Sequence, residues 1–242
     1  MLGFQYSVSE RKALWLGALA VPTAFVVLMV ASVAAMATAR ALPEPLRSTQ
    51  WIDAPLIHVY LLLLCVIVAV LLGDWRLTIL GLRSSSMKFL VQASLAGLAV
   101  GSLSSTVSLA MRVREPTFFR SLSVPQVIVF VWLLASLAEE VLTRGLLQGM
   151  MSAWAGRPVN LFFVRLHAPV IVSAAFFGAM HLPLLGMGAD RAAVAIIVTS
   201  AFVLGLIAGQ FRHRTGSLWP AMAAHSCANV AGTLLGLLLH TG

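Results

Sequence analysis

Val127-Ile-Val-Phe-Val-Trp-Leu-Leu-Ala-Ser-Leu-Ala-Glu139-Glu140-Val-Leu-Thr-Arg144-Gly-Leu-Leu147 is an apolar run that leads into two adjacent carboxylates and then a guanidinium. A charged side chain at bilayer depth costs several kcal/mol and persists where a partner or a function holds it. Helical geometry separates the three charges. Residues four apart share a face, and an acid placed before a base at that spacing is the better orientation. Glu140 and Arg144 meet this condition and are expected to pair. With 3.6 residues per turn, Glu139 points about 100° away from Glu140. It is therefore expected to face a cavity rather than the ion pair.

The rest of the chain sets this helix in a membrane. Of 242 residues, 60% are hydrophobic and only 10% charged, against about 25% charged in a soluble domain. The composition implies a polytopic membrane protein with no soluble domain between its apolar runs. The formal charge of +8 is not that of a nucleic-acid binder, because the basic residues are spread over many short loops and form no basic face. Loop Lys and Arg that set topology and meet anionic headgroups account for it. Cys65 and Cys227 both lie in apolar runs without C-x-x-C spacing, so neither a disulfide framework nor a metal knuckle is implied. Arg11 and Lys12 precede an apolar run from Ala13 to Thr38. That run exceeds the roughly 7–15 residues of a signal-peptide core and reads as a retained first span.

Spans of roughly 20 apolar residues are expected at 13–38, 56–73, 89–111, 124–151, 168–187, 191–210 and 219–240, giving an all-α bundle of about seven helices. Pro183 makes the fifth the least regular, since proline removes a helical donor. Residues 1–115 read as an N-terminal unit of spans one to three, and 116–242 as the core that carries the chemistry. The N-terminal side and even-numbered loops hold Arg11, Lys12, Arg76, Arg83, Lys88, Arg157, Arg165, Arg212 and Arg214; the other side holds Arg40, Arg47, Arg112, Arg114, Arg120 and Arg191. The excess favours a cytoplasmic N-terminus. Gly97 with Gly101, Gly145 with Gly149, and Gly205 with Gly209 suit close helix packing.

Two further sites with polar side chains fall inside apolar spans: Phe177-Gly-Ala-Met-His181 and His225-Ser-Cys-Ala-Asn229. The other acidic residues, Glu10, Glu44, Asp53, Asp74, Glu115 and Asp190, fall in loops or at span ends. A buried carboxylate beside an imidazole suits general-base chemistry on water. A second His with an Asn one turn on suits hydrogen bonding to a developing oxyanion, a contribution of about 10²–10³ in rate. Phe177 stands one turn before His181 and can wall the pocket.

Glu139-Glu140-Val-Leu-Thr-Arg144, Phe177-x-x-x-His181 and His225-x-x-x-Asn229, in this order on separate membrane helices, resemble the CPBP family. That family comprises CAAX prenyl endopeptidases of the Ras-converting type and the bacterial Abi group, linked to bacteriocin processing and immunity. The resemblance covers roughly residues 120–235 and implies a glutamate-type intramembrane protease with its site between spans four, five and seven. By it, Glu139 activates water with His181, His225 and Asn229 form the oxyanion site, and Glu140, Arg144 and Phe177 support the geometry. No cofactor is implied. The implied partners are the lipid bilayer and a membrane-associated peptide: prenylated, a bacteriocin leader or a sorting tail. The eukaryotic-type enzymes have eight spans, so seven suggests a compact bacterial relative in the plasma membrane.

Two other readings use the same residues. A zinc protease would take Glu139, His181 and His225 as ligands, since zinc sites commonly use three protein ligands and water; no H-E-x-x-H accompanies them. A non-enzymatic protein would use Glu and His as a proton relay or act as an immunity binder, although no paired broken helices in matching halves are evident. His58, His167, His213 and His240 sit near span ends and are assigned no chemistry, and Cys227 lacks a base at a defined spacing. Trp51, Trp75, Trp154 and Trp219 suit an aromatic belt, and Phe118 with Phe119 a short interfacial helix.

Overall fold

The structure is a computed structural model that describes residues 10–49, 51–72, 77–113, 122–156, 158–161 and 164–240. Trp75 and the interfacial helix expected at Phe118 and Phe119 lie outside the described residues.

The expected helical bundle is what forms. Its helices are α1 (Glu10–Ala41), α2 (Asp53–Leu72), α3 (Met87–Ala110), α4 (Val124–Met150), α5 (Ala168–Ala179), α6 (Arg191–Thr215) and α7 (Trp219–His240). Among the described residues, six helical segments are long and apolar enough to cross a membrane. The remaining expected span is α7, a helix of 22 residues.

The most consequential difference lies in α4, which the sequence pattern predicts as a uniform α-helix. It is π-helical over Val127–Ala135 and Val141–Leu147, and α-helical over Ser136–Glu140 between them. The wider i→i+5 turn is rare and concentrates at functional sites. In each π stretch a backbone carbonyl accepts from a side chain on another helix: Asn229 Nδ2 donates to Val131 O at 3.0 Å, and Arg212 Nε to Arg144 O at 3.2 Å. Inserted side chains of this kind disturb a regular helical ladder.

The fifth span stops early. Helix α5 ends at Ala179, and Leu182–Leu185 continue as a 3-10 turn containing Pro183. Proline cannot donate to a continuing helix, so His181 stands at a helix end rather than mid-helix. Before α5, an unforeseen antiparallel hairpin pairs β1 (Val159–Leu161) with β2 (Val164–Leu166), Asn160 opposite Arg165. Helix α6 starts on Asp190, whose side chain accepts from Ala192 N at 2.7 Å, and overruns its expected end to reach Gly216 at φ +64°. That left-handed residue is the common helix stop. The overrun turns Arg212 inward: it is buried and donates to the carbonyls of Ile79, Gly216 and Arg144. It is therefore no headgroup-facing loop charge, which corrects its place in the orientation count.

Small residues let the helices close. One core joins α1, α2 and α4 through Ala20, Ala24, Leu61, Cys65, Ala138 and Leu142. On the other side, α3 lies against α7, with Gly97 on the backbone of Ala224 and Gly101 on that of Ala228. A methyl at Gly97 would overlap the Ala224 carbonyl. Gly97→Ala should therefore lower stability by about 1–3 kcal/mol through overpacking, despite a gain in helix propensity of about 1 kcal/mol. Thermal melts of detergent-purified protein test this, with Gly156→Ala, where a methyl meets nothing, as the unchanged control.

Candidate active site

Helix α4 places the two glutamates in unlike surroundings. The side chains of Glu140 and Arg144 are 0% exposed, with Nη1 donating to Oε1 at 2.9 Å. The expected i,i+4 pair is present. Nη1 also meets Thr143 Oγ1, and the guanidinium carbon stands 4.4 Å from the centre of the Phe177 ring. Nε and Nη2 have no hydrogen-bond partner among the described residues. The aromatic face supplies the attraction that those atoms lack. Only a glycine fits at position 205 on α6, because a methyl there would lie 2.8 Å from Nη2.

Glu139 is the more open of the two, its side chain 12% exposed. His225, from α7, spans both. Its Nδ1 lies 3.0 Å from Glu140 Oε1 and its Nε2 3.8 Å from Glu139 Oε2. A carboxylate only accepts, so the Nδ1 hydrogen belongs to the Glu140 bond. The sequence pattern paired His225 with Asn229 alone and gave no sign of this grip on Glu140.

Phe177 joins the elements. It is 1% exposed and meets both imidazoles edge-on, His181 at 5.3 Å and His225 at 5.2 Å between ring centres. His181 donates from Nδ1 to Phe177 O at 2.8 Å, which leaves Nε2 as the acceptor of the neutral ring. His181 thus reaches the cluster through Phe177. Asn229 sits a turn further along α7. Its Nδ2 donates to Val131 O at 3.0 Å and to Ser136 Oγ at 3.1 Å, so both amide hydrogens are engaged by α4. The structure therefore brings Glu139, Glu140, Arg144, Phe177, His181 and His225 together, with Asn229 on the adjoining turn.

One residue at the site escaped the sequence reading. His58, from α2, has Nε2 3.1 Å from Glu139 Oε1, its side chain 15% exposed. No motif partner marks it, so its sequence position alone suits an interfacial histidine. Only its position one turn inside an apolar span hinted otherwise. Of the other histidines placed near span ends, His167 and His213 lie against each other with ring centres 4.0 Å apart and planes tilted by 31°. Among the described residues both cysteines are free, and no group of three His, Cys, Asp or Glu side chains is arranged to hold a metal ion.

No curated protein and no solved structure matches the chain. Residues 121–231 match the sequence model of a family, Rce1-like, described as type II CAAX prenyl endopeptidase Rce1-like. The matched range holds all three motifs and leaves out His58. With helices long and apolar enough to cross a bilayer, the chain is an integral multi-pass membrane protein, and the segment that carries its three motifs is similar to the Rce1-like family of CAAX-type membrane endopeptidases.

Proposed function

We propose that the protein hydrolyses a peptide bond near the end of a membrane-associated peptide, with Glu139 as the general base that activates water. The observation that carries this reading is the inequality of the two glutamates. Glu140 is sealed in an ion pair with Arg144, while Glu139 keeps partial exposure between imidazoles. In the reaction, Glu139 takes a proton from water as its oxygen attacks the scissile carbonyl, then returns that proton to the departing amine. His181 Nε2 accepts from the same water and orients it. The oxyanion is met by His225 Nε2 and Asn229 Nδ2.

The bonding pattern constrains how those donors act. His225 has committed Nδ1 to Glu140, so Nε2 donates to an oxyanion only when the ring is an imidazolium. Two carboxylates, one guanidinium and one imidazolium then sum to zero charge, a balance that suits a buried cluster. Asn229 must release one hydrogen from Val131 O or Ser136 Oγ as substrate arrives. On this reading residues 116–242 supply the chemistry, and residues 1–115 frame it.

The test compares membrane-protein termini in a strain lacking the protein with those in a strain carrying Glu139→Ala. Uncut termini common to both name the substrate and support the reading; unchanged termini in both overturn it. No metal enters this mechanism. Cleavage of the identified substrate by purified protein should withstand 1,10-phenanthroline; loss of activity that zinc restores would replace this mechanism with a metal-assisted one.

A further inference from the structure

We infer that His58 is a positioning residue for Glu139, fixing one carboxylate oxygen so that the other faces water. This inference rests on the reading of Glu139 as the base. His58 lies on α2, outside the residues that carry the family resemblance, and its role comes from the geometry alone.

His58 Nε2 is 3.1 Å from Glu139 Oε1, whereas Glu139 Oε2 is directed at His225 Nε2 from 3.8 Å. The two oxygens therefore have different tasks. Oε1 accepts a hydrogen bond of ordinary length, and Oε2 has an imidazole near it beyond hydrogen-bond range. His58 Nδ1 is buried and has no hydrogen-bond partner among the described residues. The ring thus spends its hydrogen on Glu139, as the Nε2–H tautomer. A glutamate has three rotatable bonds before its oxygens, and a fixed donor from a second helix removes that freedom. A base displaced by about 1 Å can lose on the order of 10²-fold in rate.

Helix α2 also holds His58 firmly. Leu61 and Cys65, on the turns that follow, are buried against α1 and α4. The donor therefore arrives from a rigid element, and loss of the imidazole is not made good by a neighbour. The side chain is expected to act on the chemical step rather than on peptide binding, because its contact is with the base.

Two measurements on the full-length protein in nanodiscs decide the matter. The first needs no substrate: ¹⁵N NMR of histidine-labelled protein should show His58 protonated at Nε2, with that signal moving in Glu139→Gln. Protonation at Nδ1, or a signal indifferent to Glu139→Gln, overturns the proposal. The second follows cleavage of a quenched fluorescent peptide that ends in a farnesylated CAAX-type sequence. His58→Leu should lower kcat by about 10–100-fold with KM within about twofold. His58→Gln, which keeps an N–H at a similar reach, should recover most of the loss. Full activity in His58→Leu, or a His58→Gln no better than His58→Leu at equal melting temperature, also overturns it. Should Glu139→Gln still cleave, or wild type fail to cleave this peptide, the proposed reaction or its substrate class falls, while the NMR result still decides the His58 contact.

Discussion

Glu139→Gln should reduce turnover by about 10³-fold or more while the protein inserts and melts almost as wild type does. General-base contributions span about 10²–10⁴, and an amide in place of the carboxylate removes the proton acceptor altogether. The substitution costs little structurally. The Gln carbonyl still accepts from His58 Nε2, the volume is conserved, and the side chain is partly exposed. Glu140→Gln is the informative counterpart. There the carboxylate balances Arg144 and holds His225 Nδ1 in a wholly buried place, so the change should depress melting temperature first and activity as a consequence. Turnover and melting temperature measured for both variants test the division of labour. Near-normal turnover in purified Glu139→Gln would sink the assignment.

Arg144→Met should be the most destabilising single change in the site, at about 3–5 kcal/mol, the range for removing one partner of a buried ion pair. Methionine fills much of the arginine volume, so the loss is electrostatic rather than a cavity. Glu140 would keep one imidazole and no guanidinium, and Phe177 would lose the cation over its face. Arg144→Lys should fall between. It keeps the charge but not the planar group that lies against Phe177 beside Gly205. Thermal melting in detergent separates the three proteins, and an Arg144→Met protein that melts within about two degrees of wild type would show the pair to be dispensable.

Much of the site was legible because its residues obey helical spacing. Glu140 and Arg144 sit four apart, and their pairing follows from the period alone. The same rule separated Glu139 from them, and it survives because the turn Ser136–Glu140 remains α-helical between its two π neighbours. Pro183 announced the break that leaves His181 at a helix end. What stayed hidden was set by contacts between helices distant in sequence. Nothing near His58 marks it as a partner for a residue 81 positions later. The grip of His225 on Glu140, and the engagement of Asn229 by α4 carbonyl and hydroxyl groups, depend on helix rotation that hydropathy does not encode. The π stretches are likewise invisible, since Val, Leu and Ile suit either helix. The inward Arg212 was misplaced because a span ended by residue count stops short of its Gly216 cap.

The grip of His225 has a consequence for how the protein comes into being. The glutamates emerge from the ribosome well before α7, which follows them in the chain. Until that helix packs in, Glu140 has no second partner and Glu139 lacks the imidazole facing it. On the proposed reading, a half-made chain carries the base without the groups that would steady an oxyanion. By the same reading, newly inserted neighbours in the same membrane are spared from cleavage until α7 has packed against α4.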